Sequence, residues 1–261
     1  MNLLAFRAPL KDIVLKAGEE ILQIYNQPAL FAVEHKADDS PLTAADRAAN
    51  AVICEALEGL EPKFPILSEE NKAIPYTQRK DFDFYWCVDP LDGTKEFIKR
   101  NGEFTVNIAL IRRDRPVVGI VHIPVSGETY FGTQNEGAFY SKEEGWEQMA
   151  SSSFSYVDIG LKILCSRSHL SDDTKKYVDQ FKEPELLPRG SSLKFLEIAR
   201  GHAHIYPRLG PTMEWDTAAA QIILEESGGQ VVEFASGQPL GYNKESLLNP
   251  DFLALGALKE K

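Results

Sequence analysis

The chain has 261 residues, of which 43% are hydrophobic and 26% are charged. This balance is typical of a globular protein and excludes a disordered tail, a collagen-like fibre and a disulfide-dense mini-protein. Because 39 Asp and Glu outnumber 28 Lys and Arg, the formal net charge is -11. An acidic surface repels phosphate backbones, so the composition disfavours a nucleic acid polymer as partner.

Three cysteines, Cys54, Cys87 and Cys165, are far apart and form no Cys-x-x-Cys pair. They predict no disulfide framework and no zinc site, and are typical of buried or half-buried thiols in a reducing cytosol. No apolar stretch is long enough for a signal peptide or a membrane span. We therefore expect a cytoplasmic protein without a transmembrane segment. Peripheral contact with the inner membrane and a homodimer both stay open.

The first sixty residues predict two helices. Apolar residues recur at helical spacing over 10–24, and a second apolar stripe runs over 45–57. Thr43 is placed to cap the second helix, and Gly59 to end it. The polar stretch 34–40 between the helices is expected to form a loop or a hairpin.

The middle of the chain predicts a meander of strands. Short β-branched or aromatic runs alternate with turn residues and lie at 64–67, 84–88, 106–111, 117–123, 129–131 and 138–140.

A break near 151–155 divides the chain into two predicted subdomains, 1–155 and 156–261. Beyond it, strands at 162–165, 204–206, 230–234 and 252–255 alternate with helices at 172–181, 193–199 and 217–226. Such alternation indicates a layered α/β fold.

The segment 86–97, with sequence WCVDPLDGTKEF, carries the first chemical signal. An apolar strand ends at Asp89, proline is expected to force a turn, and Asp92 then precedes a Gly-Thr pair. Two carboxylates at one turn offer oxygen ligands to a hard cation, and a following helix start favours phosphate. Two ordinary turns, Asp-Pro and Asp-Gly, explain the same letters equally well.

Two further segments end in carboxylates at corresponding places. Glu69 follows the strand at 64–67, so it lies beside Asp89 if the two strands are neighbours. Asp216, in the segment EWDTAAA, is placed as the N-cap of a helix rich in small residues. A capping carboxylate at a buried helix start also has the right chemistry to bind a cation.

Together, DPLDGT at 89–94, WDTAAA at 215–220 and the earlier Glu-Glu pair at 69–70 resemble the inositol monophosphatase superfamily, over nearly the whole chain. Thr43 and Asp46 are similar to the family's Thr-x-x-Asp element. The resemblance implies a layered αβαβα sugar-phosphatase fold and a magnesium-dependent, lithium-sensitive phosphomonoesterase acting on a small phosphate ester.

The resemblance also implies a ligand set for two or three Mg²⁺ ions per site. Glu69, Asp89 and the Leu91 carbonyl would hold one ion, and Asp89, Asp92 and Asp216 a second. Two neighbouring ions clamp the attacking and leaving oxygens of an in-line displacement.

The catalytic residues that the resemblance implies are Thr94, Asp46 and Glu69. The Thr94 hydroxyl, polarised by Asp46, would position the attacking water, while backbone N–H groups of Gly93 and Thr94 would bind the phosphate. Without the family resemblance, Asp46 would be interpreted as a surface residue.

Residues outside the metal motifs are similar to the 3'(2'),5'-bisphosphate nucleotidase branch. They include the KEF letters at 95–97, SRSH at 166–169, and GSSLK at 190–194, the last similar to an element that binds the uncleaved phosphate. The implied substrate-binding residues are Glu69, Leu91, Asp92, Gly93, Thr94, Ser168, His169, Ser191, Lys194, Arg208 and Asp216.

Three functions follow. The first is hydrolysis of adenosine 3',5'-bisphosphate to AMP and phosphate, clearing a by-product of sulfate assimilation. The second is an inositol-1-monophosphatase or a related sugar phosphate phosphatase. The third, a catalytically silent metal and nucleotide sensor, is disfavoured because the Thr94 and Asp46 pair is present.

Overall fold

A computed structural model of the chain describes residues 1–27, 33–35, 41–167 and 171–259. Within these ranges the chain forms five layers in the order helix, sheet, helix, sheet, helix. This confirms the αβαβα architecture that the resemblance implies. Among the described helices, none combines the length and the apolar character needed to cross a membrane.

After a short 3-10 helix at Leu3–Phe6, the helices are α1 (Arg7–Tyr25), α2 (Ala44–Glu58), α3 (Tyr76–Arg79), α4 (Thr94–Ile98), α5 (Asp172–Val178), α6 (Leu193–Ala199) and α7 (Glu214–Glu226). The strands are β1 (Val33–His35), β2 (Pro41–Thr43), β3 (Ile66–Ser68), β4 (Phe84–Asp92), β5 (Thr105–Arg112), β6 (Arg115–Ile123), β7 (Glu128–Thr133), β8 (Gly137–Ser141), β9 (Glu147–Met149), β10 (Ser153–Phe154), β11 (Lys162–Ser166), β12 (Glu185–Arg189), β13 (Ile205–Arg208), β14 (Gln230–Glu233), β15 (Phe252–Leu255) and β16 (Ala257–Leu258).

The first sheet has the order β3-β4-β5-β6-β7-β8-β9. β3 runs parallel to β4, and every other neighbouring pair in it is antiparallel, as the predicted meander requires. The second sheet has the order β12-β11-β13-β15-β14. Two small pairings lie outside these sheets: β1 with β2, which supports the expected hairpin, and β10 with β16.

Strand alternation in the first sheet assigns its two faces to different helices. Trp86 and Val88 of β4 join the core beneath α1 and α2, whereas Tyr85 and Cys87 point to the opposite core with α6 and α7. The second sheet covers the far side of α6 and α7, and α5 packs on its outer face around Val178. Helix α7 is therefore enclosed between the two sheets.

Two glycines allow α7 to lie unusually close to the first sheet. A Cβ added at Gly119 of β6 would stand 2.3 Å from the Ala219 carbonyl oxygen, and one at Gly132 of β7 would stand 2.7 Å from the Ile223 Cα. Backbone atoms cannot yield at such distances. The small residues that the sequence analysis noted in this helix are therefore explained by close helix–sheet packing, which also sets where the first turn of α7 lies.

Three differences between the predicted and the observed elements affect the surroundings of the carboxylates. The turn expected at Pro90 is wrong, because β4 continues to Asp92 through a register shift between Asp89 and Asp92; a bulge accommodates a residue that has no N–H to donate. Helix α7 begins at Glu214 rather than at Thr217. Strand β12 was missed, since its Pro188 is typical of an edge strand and argues against a central one.

The proposed division at residue 155 falls where the chain leaves the first sheet after β9. Helix α7 nevertheless packs on that sheet although it belongs to the second half of the chain. Two subdomains that share one inner helix layer stay a proposal about domain organisation.

We predict that Gly119→Ala lowers the free energy of unfolding by about 1–3 kcal/mol, because an added Cβ overpacks the contact with α7. The matched control is Gly241→Ala, where a Cβ would meet no atom within 4 Å. Thermal denaturation of both variants measures the difference. Equal melting temperatures for the two variants would show that α7 does not depend on close approach to β6.

Candidate active site

The parallel pairing of β3 with β4 brings two carboxylates to one edge of the first sheet. Ser68 pairs with Val88, and the backbone N–H of Glu69 donates to the Val88 carbonyl at 3.1 Å. Asp89, only 1% exposed, is the next residue of β4. Glu69 and Asp89 therefore lie side by side, as expected if the strands are neighbours.

Helix α7 contributes the third carboxylate from the opposite side. Asp216 stands at the third position of the helix, and its Oδ2 accepts the Met213 N–H at 2.8 Å. It is thus a partner in a capping box with Met213 and not the N-cap itself, which corrects the position expected from the sequence. One carboxylate oxygen from each of Glu69, Asp89 and Asp216 lies within 4.8 Å of the others.

Burial and mutual repulsion make these carboxylates difficult to ionise together. Burial, followed by the charges of Glu69 and Asp92, raises the pKa of Asp89 well above its ordinary range. Burial and the Asp92 charge raise the pKa of Asp216 to about 8. A divalent cation among these oxygens would remove the repulsion and favour the ionised forms. The three carboxylates fit a hard cation such as Mg²⁺, which prefers oxygen ligands.

Asp92 lies beside this group but is not one of the three converging carboxylates. Its Oδ2 accepts the Ser192 N–H at 2.6 Å and the Ser191 hydroxyl. The carboxylate thereby anchors the turn before α6 to the end of β4. Coordination of a second ion by Asp92, and of a first ion by the Leu91 carbonyl, stays a prediction.

Thr94 and Asp46 meet across 48 positions of sequence. The Thr94 hydroxyl donates to Asp46 Oδ1 at 3.3 Å, while Asp46 Oδ2 accepts the Thr43 N–H at 2.7 Å and the Thr43 hydroxyl at 2.5 Å. Asp46 is 2% exposed, so its interpretation as a surface residue is wrong. One oxygen of Asp46 faces Thr94 from a distant part of the chain, and the other bonds Thr43 in the capping box of α2.

Gly93 connects β4 to α4 in a left-handed conformation, with φ 93°. A Cβ there would meet the Glu103 carbonyl oxygen at 3.1 Å and the Ser191 Cβ at 3.2 Å. Glycine is therefore required on two counts at the turn that leads from β4 into α4.

Two adjoining cavities open at this edge. One, of about 490 Å³, is lined by Glu69, Asp89 and Thr94. The second, of about 280 Å³, is lined by the cationic side chains of Arg189, Lys194 and Arg208. The two cavities share part of their walls. The shared residues are Asp92, Gly93, Lys95, Glu96, Thr212 and Asp216.

The cations of the second cavity differ in their partners. Lys194 is 6% exposed and donates to the carbonyls of Ser191 at 2.6 Å and Arg189 at 3.3 Å. Burial lowers its pKa to about 8. Arg208 donates to the Pro211 carbonyl at 2.8 Å, while its buried Nε meets no hydrogen-bond partner among the described residues. Ser168 and His169, also predicted to bind substrate, lie outside the described residues.

Glu103 carries no signal in the sequence, but it binds Gly190 in the wall of the second cavity. Its carboxylate accepts the Gly190 N–H at 2.8 Å and two hydrogen bonds from Arg167. Both partners are more than sixty residues away in sequence, so no local pattern signals the contact. Arg189 was missed for the same reason as β12, the strand that carries it.

Known proteins of one family are similar to this chain over nearly its whole length. The model of the inositol monophosphatase family matches residues 4–260. The 3'(2'),5'-bisphosphate nucleotidase CysQ of Salmonella typhimurium is 44% identical over 242 residues, covering 92% of this chain and 96% of that protein. CysQ of Haemophilus influenzae is 34% identical, with 94% and 90% covered.

Two solved structures of this family have the same fold as this chain. The crystal structure of CysQ from Bacteroides thetaiotaomicron superimposes with a TM-score of 0.83 at 42% identity, covering 97% of this chain and 98% of that one. An inositol monophosphatase from Anabaena shares the fold, with a TM-score of 0.77 at 24% identity and 98% and 92% of the two chains covered.

We predict that Asp216→Asn raises the melting temperature measured in a chelator, and that the gain grows from pH 5 to pH 9. The folded protein holds a proton on Asp216 up to a pKa of about 8. The unfolded chain releases that proton near pH 4, so wild-type stability falls as pH rises between these values. Asn removes this loss while its carbonyl still accepts the Met213 N–H.

Differential scanning calorimetry with and without Mg²⁺ measures both effects. Added Mg²⁺ should raise the melting temperature of the wild type more than that of Asp216→Asn. A lower melting temperature for the variant at pH 8 in chelator would contradict the assignment of Asp216 to a repulsive carboxylate group.

Proposed function

Since the chain belongs to the inositol monophosphatase family, we propose that it is a 3'(2'),5'-bisphosphate nucleotidase, a phosphoric monoester hydrolase that converts adenosine 3',5'-bisphosphate and water to AMP and phosphate. The observation that carries this proposal is the junction of the two cavities. An acidic group suited to cations stands directly beside a cavity lined with four basic side chains, those of Lys95, Arg189, Lys194 and Arg208. A substrate with two phosphates needs both.

In this proposal Glu69, Asp89, Asp216, Asp92 and the Leu91 carbonyl would hold two or three Mg²⁺ ions. Such ions would supply charge neutralisation and polarise the phosphoryl oxygens for in-line attack. The chemistry of the donor set supports this choice, because hard divalent ions prefer carboxylate and carbonyl oxygens.

Within this site Thr94 and Asp46 act on the attacking water. Because the Thr94 hydroxyl donates its hydrogen to Asp46, its oxygen lone pairs are available to accept a hydrogen bond from water. Asp46 in turn is held rigidly by Thr43. The pair therefore orients the water, Glu69 assists in taking up its proton, and N–H groups of Gly93 and Thr94 bind the phosphoryl oxygens. The P–O ester bond breaks, and the leaving 3'-oxygen acquires a proton to give AMP.

The second cavity would hold the 5'-phosphate and the nucleoside. Arg208 and Lys194 contribute positive charge, and Ser191 supplies a hydroxyl at the shared wall. Lys194 directs two ammonium hydrogens at carbonyls, which leaves the third for a phosphate oxygen. Ser168 and His169 complete the proposal as contacts to the adenosine.

The wider setting of the proposal is a cytoplasmic enzyme that removes a by-product of sulfate assimilation and is inhibited by lithium. A homodimer is compatible with it. The net charge of -11 makes the basic cavity a local exception to the acidic surface. Such a local reversal is what an anionic substrate needs to enter an acidic protein.

We predict that Thr94→Ala lowers kcat by about a hundred- to ten-thousand-fold, the usual range for assisted proton transfer, with KM nearly unchanged. Thr94→Ser, which keeps the hydroxyl, is the matched control and should retain most of the activity. Steady-state kinetics with adenosine 3',5'-bisphosphate measure both constants. A raised KM with an unaltered kcat would assign Thr94 to phosphate binding alone.

Phosphate release from adenosine 3',5'-bisphosphate and inositol 1-phosphate at the same Mg²⁺ concentration tests the proposed substrate. We expect the nucleotide to be preferred, and Arg208→Ala to remove much of that preference. Loss of a charge-assisted hydrogen bond should cost about 1.5–3 kcal/mol in kcat/KM for the nucleotide and little for the inositol phosphate.

Arg113→Ala is the control for loss of a positive charge, since Arg113 forms an exposed ion pair with Asp83. Arg113→Ala should change kcat/KM for neither substrate. Preference of the wild type for inositol 1-phosphate would favour the inositol phosphatase hypothesis, and equal losses on both substrates in Arg208→Ala would remove Arg208 from the phosphate cavity.

A further inference from the structure

Helix α7 begins with a fully buried carboxylate that the reaction does not use. Glu214 is 0% exposed and lies two residues before Asp216. Its carboxylate accepts three hydrogen bonds: from the Asn243 N–H at 2.8 Å, from the Lys244 N–H at 3.0 Å and from the Lys244 ammonium at 2.7 Å. The fold thus supplies this buried carboxylate with three hydrogen-bond donors.

Lys244 and Asn249 extend this network to both sides of Asp216. The Lys244 ammonium also donates to the Gly241 carbonyl at 2.8 Å and to Asn249 Oδ1 at 3.2 Å, so all three of its hydrogens have acceptors. The Asn249 side-chain amide donates to the Met213 carbonyl at 2.9 Å and to the Thr217 hydroxyl at 3.1 Å.

Backbone pairing reinforces the same contact. The Glu214 N–H donates to the Leu247 carbonyl at 2.9 Å, and the Asn249 N–H donates to the Thr212 carbonyl at 2.8 Å. The segment 241–249 is therefore hydrogen-bonded to residues 212–217, the short stretch that carries Asp216. Leu248 of this segment also lines the cavity that contains the three converging carboxylates.

Stability alone does not explain an ion pair whose carboxylate is fully buried and whose lysine side chain is 29% exposed. Removing a charge from water costs about as much as the attraction of its partner returns, and well-packed apolar residues are often more stable. What a hydrogen-bonded pair adds is direction, because each donor fixes the angle of its acceptor. The stretch that these hydrogen bonds hold is the first turn of α7, which carries Asp216.

We propose that Glu214 and Lys244 are a pair of positioning residues that set the cation affinity of the site by orienting Asp216. This inference rests on the proposed cation group at Glu69, Asp89 and Asp216. Loss of such supporting partners typically lowers metal affinity or activity by about ten- to a hundred-fold. Their effect should therefore fall on Mg²⁺ binding, with little change in kcat once Mg²⁺ is saturating.

The test variant is the double substitution Glu214→Gln with Lys244→Met, which leaves no unpaired buried charge. The matched control is Gln221→Met. Gln221 is a fully buried polar residue of the same helix that also contacts the C-terminal segment, through the Leu240 carbonyl and the Tyr242 hydroxyl. It lies more than a turn away from Asp216 and bonds neither Glu214 nor Lys244, although the Tyr242 hydroxyl that it accepts also contacts Thr217 at 3.1 Å.

Isothermal titration with Mg²⁺ alone gives the dissociation constant, and the rate at increasing Mg²⁺ gives the half-activating concentration. We expect both to rise by about ten-fold or more in the double variant, with kcat at saturating Mg²⁺ within about three-fold of the wild type. Gln221→Met should lower the melting temperature while leaving both Mg²⁺ constants unchanged.

A dissociation constant within two-fold of the wild type in the double variant, or an equal shift in Gln221→Met, would overturn the positioning role. The titration needs no substrate, so a wild type that binds Mg²⁺ yet leaves adenosine 3',5'-bisphosphate intact would refute the proposed substrate and not this inference. A wild type that shows no saturable Mg²⁺ binding would overturn the cation group and the inference together.

Discussion

Repulsion among a buried carboxylate and two half-buried ones is the constraint around which this molecule is arranged. Glu69 and Asp89 arrive together because β3 and β4 are parallel neighbours, and Asp216 is brought to them by α7. Burial in a low dielectric makes their mutual charge costly, as the raised pKa values of Asp89 and Asp216 show. The fold must therefore hold these groups together against their own electrostatics, and α7, enclosed between two sheets, does so.

The packing of α7 connects sequence to chemistry. Gly119 and Gly132 remove the side chains that would push the helix away from the first sheet, and the helix contributes small residues at its contact face. The site is thus assembled from two halves of the chain. The Glu214 and Lys244 network then holds the first turn of α7, so that general packing places the helix and directed hydrogen bonds hold the turn that carries Asp216.

The adjoining cavities are the basis for proposing that an acidic chain acts on a doubly phosphorylated nucleotide. Glu69, Asp89 and Asp216 line one cavity, and Arg189, Lys194 and Arg208 lie in the wall of the other. Asp92 joins the two by accepting hydrogen bonds from the turn at Ser191 and Ser192. A change at the basic cavity can therefore reach the carboxylates through a contact of a few ångströms.

Much of this arrangement could be predicted from the sequence. Periodicity located α1, α2 and the meander, and the ends of two predicted strands pointed to Glu69 and Asp89. The burial of Asp46 could not be predicted from pattern alone, because an Asp in the first turn of an amphipathic helix is usually solvated. Only its contact with Thr94, 48 residues away, shows its place.

Long-range contacts account for the other omissions. Glu103 and Glu214 are ordinary charged letters in the sequence, and their partners are brought to them only by the tertiary fold. Pro90 misled the strand assignment because a bulge, which depends on the partner strand, lets β4 continue through it. Strand β12 is held by its pairing with β11 in spite of Pro188.

The central claim is that Glu69, Asp89 and Asp216 form the centre of a divalent cation site. The most direct measurement is anomalous diffraction from crystals soaked in Mn²⁺, which takes the same oxygen ligands as Mg²⁺. The account predicts anomalous peaks among these carboxylates, with a carboxylate oxygen of each of the three residues about 2.0–2.2 Å from a bound Mn²⁺. Mn²⁺ bound elsewhere on the protein, with no peak among these carboxylates, would contradict it.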